Sequence, residues 1–316
     1  MRLFLFLGST EPALPPFSCY PRKLMKSPVA VLFGAGGQLG AELKRVFSQR
    51  GYDVRGFERS QMDIGDAAAV ENCLTAIDPA VVLNAAAYNK VDLAESEPIE
   101  AYKANALAVA NLAKSCRQID ARLVHFSTDY VFDGMAGRAY VESDATHPLG
   151  AYAVSKLCGE LYAQAYLDEP LVIRVSGVFG PAGVLTAHGN FIETMLRLAK
   201  SGNPIRVVED FVASPTYTLA LAERTADLIE RKAHGVYHVG GGRPISWFDF
   251  AKLIFDAAGL KPELQATNER TYRTPARRPK YSALRNARLE NEQYPEMPRL
   301  EAAIEEYLRL SAALRP

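Results

Sequence analysis

The sequence predicts an α/β fold: a doubly wound parallel sheet followed by a smaller C-terminal α/β unit. Three observations carry that prediction. Short apolar runs alternate with segments of helical period. The apolar runs lack a polar side, as strands buried on both faces do. A glycine-rich turn joins the first strand to the first helix, the arrangement of nucleotide-binding α/β sheets.

Taken in order, "PVAVLFG" is the first buried strand and "GQLGAELKRVFSQRG" a helix that Gly51 closes. "YDVRGFE" is the second strand, "AAAVENCLTAI" the next helix and "AVVLNAAA" the third strand. One long helix is expected over "PIEAYKANALAVANLAKSCRQ", then a strand over "ARLVHFS", a helix from Ala151, and the strand "PLVIRVS". After Ser176 the rhythm loosens. "NFIETMLRLAKSG" and "YTLALAERTADLIERK" read as helices separated by "IRVV" and an "SPT" turn, and "GVYHVGG" as one more short strand. "SWFDFAKLIFDAAG" carries its own signals, with Ser246 as N-cap, Asp249 three residues on, and Gly259 as the stop. "TNERTYRTPARRPKYS" is a basic, proline-broken loop, and "PRLEAAIEEYLRL" a final amphipathic helix.

Bulk properties narrow the function. The 316 residues suffice for one large domain or two modest ones, and 48% hydrophobic with 23% charged residues is an ordinary globular composition. Lys+Arg and Asp+Glu both number 36, so there is no basic field for a nucleic acid. Cys19, Cys73, Cys116 and Cys158 are scattered without metal-ligand spacing, which argues against a zinc site or disulfide framework and fits a reducing cytoplasm. No run reaches the roughly 18 apolar residues of a membrane span. Residues 1–24 hold a six-residue apolar block broken by prolines; they read as a disordered extension, or as an upstream start before Met25.

"GAGGQLG" sets Gly34, Gly37 and Gly40 between the first strand and the first helix. A turn this tight needs residues without a Cβ, so that backbone amides approach a pyrophosphate at the helix N-terminus. Gln38 and Leu39 belong to the same turn. Glu58, about 20 residues on, stands where a carboxylate accepts from an adenosine ribose, and Arg59 beside it could instead pair with a 2′-phosphate. A solvated loop charge is the alternative for each. Asp63 and Ile64 are expected to flank the adenine, and Ala85, Ala86 and Ala87 to let backbone lie against the cofactor.

In "AYAVSKLCGE" Tyr152 and Lys156 lie four apart, stacked on one helical face. A free phenol has a pKa near 10, and a nearby ammonium lowers it. Lysine can also hold the nicotinamide ribose. Thr128 or Ser127, at the end of "LVHFSTDYVF", adds a hydroxyl at the sheet edge where ligands of open α/β sheets bind. The pattern is that of hydride transfer to a carbonyl, with Tyr152 as acid, Thr128 polarising the oxygen and Lys156 tuning the phenol.

The glycine loop, "NAAA", "STDYVF" and the Tyr152/Lys156 pair resemble the extended short-chain dehydrogenase/reductases. "VDLAESEP", "NFIETMLRLAK", "GVYHVGG" and "TPARRP" resemble, within them, the dTDP-4-dehydrorhamnose reductase family. The likeness runs from about Val29 to Arg278. It implies a Rossmann-type domain over 25–175, with a return segment about 213–240, and a substrate domain over 176–212 and 241–316. It implies reduction of a 4-keto-6-deoxy nucleotide sugar with NADPH or NADH, and a homodimer is compatible with it. Catalytic roles fall on Tyr152, Lys156 and Thr128. Cofactor contacts fall on Gly37, Gln38, Leu39, Glu58, Asp63, Ile64, Ala85–Ala87 and Phe126. The substrate side takes Asp129, Gly177 and Asn190, with Arg277 and Arg278 as partners for a diphosphate or as a plain basic loop. A magnesium requirement rests on the resemblance alone, and the sequence offers no metal site.

Two departures bear on the sugar. Gly177 stands where the family has a tryptophan, which predicts a roomier pocket, and Phe211 replaces a glutamine near Asp210. A nucleotide-sugar epimerase of the same fold is one rival, and a regulatory subunit of the methionine adenosyltransferase β type another. A dehydratase would want a second acid where Tyr130 stands.

Overall fold

The computed structural model describes residues 27–186, 189–271 and 273–314; the extension expected over 1–24 lies outside the described residues. Strands β1 (Val29–Phe33), β2 (Asp53–Phe57), β3 (Val81–Asn84), β4 (Arg122–Thr128), β5 (Leu171–Val175) and β8 (Gly235–His238) form one parallel sheet in the order β2-β1-β3-β4-β5-β8. The chain leaves β1 for β2 on one side and returns to β3 on the other. The switch point therefore lies between the carboxyl ends of β1 and β3, where open α/β sheets bind ligands.

Both faces of the sheet are covered. Helices α1 (Gln38–Gln49) and α7 (Thr218–Glu230) press Leu43, Phe47, Leu221 and Leu228 onto one face. Helices α2 (Ala67–Ile77), α4 (Ala108–Gln118) and α5 (Ala151–Tyr166) cover the other through Val70, Leu74, Leu112 and Ala163. The long helix expected over 98–118 is not continuous. It opens as α3 (Pro98–Tyr102), widens into a π-turn over Lys103–Leu107, and continues as α4. Asn105 sits in that turn, its amide bonded to the Tyr88 backbone and to Ser155 Oγ of α5. Gly159 makes the close approach possible, since a Cβ there would lie 2.2 Å from the Asn105 carbonyl oxygen.

The remaining elements build a second layer with a core of its own. Helices α6 (Phe191–Ala199), α8 (Trp247–Ala257) and α10 (Leu300–Leu314) pack Ile192, Phe250, Ile254 and Tyr307 around Phe179. Strand β6 (Ile205–Val208) pairs with β10 (Leu264–Thr267) in parallel, and β7 (Val212–Ala213) with β9 (Ile245–Ser246) antiparallel. The cap of α8 is as expected: Ser246 Oγ accepts from Asp249 N, and Gly259 follows the helix at φ +66°. The short helix α9 (Ala287–Asn291) and Tyr294 return to the sheet, where Leu289 and Tyr294 join its core. No described helix is long and apolar enough to cross a membrane.

Candidate active site

The glycine loop occupies the switch point. Gly34 has φ +82°, and a Cβ on it would fall 2.7 Å from the Ala85 carbonyl carbon and the Ala86 nitrogen, so strands β1 and β3 meet there backbone to backbone. A Cβ on Gly40 would fall 2.1 Å from the Gly34 carbonyl oxygen, which pins the first turn of α1 against the loop. Gly37 is the N-cap of α1, and no side chain caps it. Free amides at a helix N-terminus beside a cradle that a Cβ would fill suit a pyrophosphate. Glu58 closes the cradle from β2, its carboxyl carbon 2.9 Å from where a Gly36 Cβ would stand.

Around the cradle the predicted residues divide. Arg59 and Asp63 are exposed and paired to each other at 3.4 Å. Ile64 does not present its side chain to a ligand; it is buried with Phe33 and Val70 in the core. Phe126 likewise turns its ring into the core, and its carbonyl oxygen does the work at the site. Leu39 packs on that same core. Gln38 donates to the Val178 carbonyl and accepts from Asn190 Nδ2, tying the loop to the segment after β5. Asn190 is thereby withdrawn from the substrate side. Its Oδ1 caps α6 at Glu193 N, its amide is spent on Gln38 and Gly180, and it lines neither cavity described below.

At the carboxyl end of β4 and the first turn of α5, Thr128, Tyr152 and Lys156 come together. Lys156 is buried and donates to the Phe126 carbonyl oxygen at 2.6 Å, with His125 Nε2 3.5 Å away. Burial brings its ammonium down to about 8, against a weaker opposing pull from Glu160. The expected tuning of Tyr152 by Lys156 is not what the structure has. Burial pushes the phenol above its ordinary value, with Asp129 and Tyr130 adding to the rise and only a Thr128 hydrogen bond opposing it. Lys156 gives one of its three N–H donors to β4, at the Phe126 carbonyl.

Thr128 departs from expectation too. Its hydroxyl donates to Asp129 Oδ1 at 3.1 Å and accepts from Tyr130 N. Asp129 Oδ2 accepts from Ser176 Oγ at 2.8 Å and Ser282 Oγ at 2.5 Å. Three hydroxyls therefore surround one buried carboxyl. Burial nevertheless raises it to about 6, the hydroxyl bonds from Ser282, Ser176 and Thr128 pulling the other way. Ser127 Oγ, on the same strand, is buried without a partner among the described residues and lines the same chamber, so it is the uncommitted hydroxyl of the pair the sequence offered.

That chamber encloses about 250 Å³ between Thr128, Tyr152 and Gly177. It meets a larger groove of about 720 Å³ that carries Arg206, Arg270, Arg273, Arg277 and Arg278. Arg277 is exposed on the groove wall. Arg278 is already committed, donating twice to Asp92 at 2.8 and 2.9 Å and holding that carboxyl below its ordinary range. The roomier pocket expected at Gly177 is not found. A Cβ there would lie 3.0 Å from Cη2 of Trp247, whose ring fills the space. Trp247, Ser282 and the π-turn at Asn105 were not singled out from sequence. Only the "SW" opening of α8 hinted at the first, and as a cap rather than a site.

Known proteins resemble this chain in sequence and in fold. The family model described as RmlD substrate binding domain matches residues 29–312. The chain is 40% identical over 261 residues to the dTDP-4-dehydrorhamnose reductase of Mycobacterium tuberculosis (strain ATCC 25618 / H37Rv), covering 80% of this chain and 84% of that protein. It is 37% identical over 257 residues to the spore coat polysaccharide biosynthesis protein SpsK of Bacillus subtilis (strain 168), covering 81% and 89%. Among solved structures, the dTDP-4-dehydrorhamnose reductase of Bacillus anthracis in complex with NADP superposes with a TM-score of 0.85 at 34% identity, covering 90% of this chain and 99% of that one.

Proposed function

The chain belongs to the RmlD substrate binding domain family, and on that premise we propose that it is an NAD(P)H-dependent reductase of a dTDP-linked 4-keto-6-deoxy sugar, with dTDP-4-dehydrorhamnose as its substrate and dTDP-L-rhamnose as its product. The observation that carries the reading is a pair of adjoining cavities beside a nucleotide cradle. The chamber at Thr128 and Tyr152 meets an arginine-lined groove, and the glycine cradle stands at the ends of the neighbouring strands β1 and β3 of the same sheet. Residues 25–175 and about 213–240 serve as the cofactor unit in this reading, and 176–212 with 241–316 as the substrate unit.

Gly34, Gly37 and Gly40 would hold the pyrophosphate, Glu58 the adenosine ribose, and Lys156 with the Ala85–Ala87 backbone the nicotinamide side. The bound dinucleotide supplies the hydride that forms the new C–H bond as the carbonyl π-bond breaks. Tyr152 then passes its phenol proton to the alkoxide oxygen. A phenol of ordinary value near 10 is protonated at neutral pH, and burial pushes this one higher, so the proton is present when the alkoxide, a stronger base than phenolate, appears. Thr128 Oγ1 braces the phenol. The exposed Arg277 suits a diphosphate oxygen.

The test is stoichiometric oxidation of NADPH or NADH with dTDP-4-dehydrorhamnose. An epimerase would consume none, and a regulatory subunit would do nothing alone. Tyr152→Phe should lower kcat by roughly 10²- to 10⁴-fold while cofactor affinity holds, because only the proton donor is gone. A kcat within a few-fold of wild type would remove Tyr152 from its role.

A further inference from the structure

Trp247 is the sole tryptophan of the chain, and it stands where the two cavities join. It lines the chamber and the groove, as only Tyr130 and Phe211 also do. Its root is fixed at the first position of α8, where its amide donates to the Phe211 carbonyl at 3.2 Å. Phe191, with ring centroids 4.7 Å apart, and Phe250, at 6.0 Å, pack against its indole, and the Cη2 edge rests over Gly177. Gly177 is in the left-handed region at φ +49°, so a side chain there would be strained as well as crowded.

The chamber has a mixed lining. Thr128, Asp129, Tyr152 and Ser282 bring polar groups to it, and Trp247, Phe211 and Val178 bring apolar surface. A 4-keto-6-deoxy pyranose carries both kinds of group, with its carbonyl at C4 and its methyl on the adjacent ring carbon C5. With the carbonyl seated at the polar residues, the methyl and the ring's C–H face are what the sugar has to lay against the indole. A hydroxyl in place of one methyl hydrogen would lose water there, and the face of the indole, Phe211 and Val178 offer it no hydrogen-bond partner.

We infer that Trp247 is the sugar-specificity residue of this chain: its indole, seated over Gly177, holds the apolar side of the deoxy sugar and discriminates against a C6 hydroxyl. The inference rests on the proposed reductase reading and deepens it. Truncating a packed aromatic at such a contact typically costs more than about ten-fold in affinity. Trp247→Ala should therefore raise KM for dTDP-4-dehydrorhamnose about ten-fold, with a much smaller change in kcat. Trp247→Phe should recover most of the loss, and NADPH affinity should be unchanged in both variants, which reports an intact fold. In wild type the single indole is its own probe. Its fluorescence should change saturably with dTDP-L-rhamnose, less with dTDP-glucose at equal concentration, and least with dTDP.

An equal fluorescence change with dTDP alone would place the indole against the nucleotide and overturn the inference. An unaltered KM in Trp247→Ala would do the same while leaving the reductase reading standing. Failure of wild type to oxidise either dinucleotide with the keto sugar would remove the reading, and the inference with it.

Discussion

Replacing Asp129 by asparagine should make the protein more stable at neutral pH than at acid pH, relative to wild type. Asp129 is 3% exposed, and burial raises its carboxyl from 3.8 to about 6 despite three hydroxyl donors. The folded state therefore holds a proton that the unfolded chain has already released between pH 3.8 and about 6. The stability this proton carries is fully present below 3.8 and is lost as pH rises through about 6. At ~1.4 kcal/mol per pH unit, the whole window corresponds to about 3 kcal/mol. An asparagine does not titrate. Its Oδ1 can accept from Ser176 and Ser282, and its Nδ2 can donate to Thr128 Oγ1, so the cluster's shape is kept. Urea unfolding of both proteins at about pH 4.5 and about pH 7.5 gives the result directly. Between those pH values the unfolding free energy of the Asp129→Asn variant should gain about 2 kcal/mol on that of wild type. Parallel pH dependence in the two proteins would refute the reasoning, because it would mean that the folded carboxyl titrates as it does in the unfolded chain.

Three further outcomes follow from named contacts. Glu160→Ala breaks a buried pair, Arg174 to Glu160 at 2.8 Å with side-chain exposures of 6% and 1%, and should cost about 3–5 kcal/mol in chemical denaturation. Gly34→Ala combines left-handed strain of about 1–2 kcal/mol with contact against the β3 backbone. Gly51→Ala, at φ +86° with nothing within 4 Å, carries the strain alone. Titration with NADPH should show weakened binding in the first and not in the second. Arg277→Ala should raise KM for the nucleotide sugar and leave the urea midpoint in place, whereas Arg278→Ala strands Asp92 and should lower the midpoint; equal effects would contradict the division of labour between them.

What could be read from sequence was what is decided locally. The central strands announce themselves because β1, β3, β4 and β5 are buried on both faces and so are apolar without alternation. The glycine loop and the Tyr152/Lys156 face follow from spacing along one element. The π-turn does not, since its residues are good helix formers and the widening comes from Asn105 bonding Tyr88 and Ser155, 17 and 50 residues away. Strands β7 and β9 have two residues each and exist only because 212–213 meets 245–246. The same holds for the ring over Gly177, since the tryptophan that fills the space beside that glycine belongs to a helix far along the chain. The direction of the Lys156 ammonium depends on the Phe126 carbonyl, 30 residues away, and was equally out of reach.

The cluster at Asp129 explains how two hydrophobic cores can hold one chamber between them. Thr128 and Ser176 belong to the ends of adjacent sheet strands, β4 and β5, whereas Ser282 arrives on a late segment that pairs backbone to backbone with Val212. Ser214 extends the same chain, its amide donating to Ser176 Oγ and its hydroxyl accepting from Leu284 N. Polar groups this deep are stabilising only when each finds its partner, so the network disfavours any docking of the second layer that leaves one of them bare. The docking it favours is the one that sets Trp247 and Phe211 opposite Thr128 and Tyr152. A site assembled from two layers needs its groups held to well under an ångström. A carboxyl shared by hydroxyls from both sides supplies that constraint where hydrophobic packing, being non-directional, does not. The cost is a buried acid whose proton is held up to about pH 6, and the position of that acid beside Thr128 makes the constraint and the chemistry parts of one hydrogen-bonded unit.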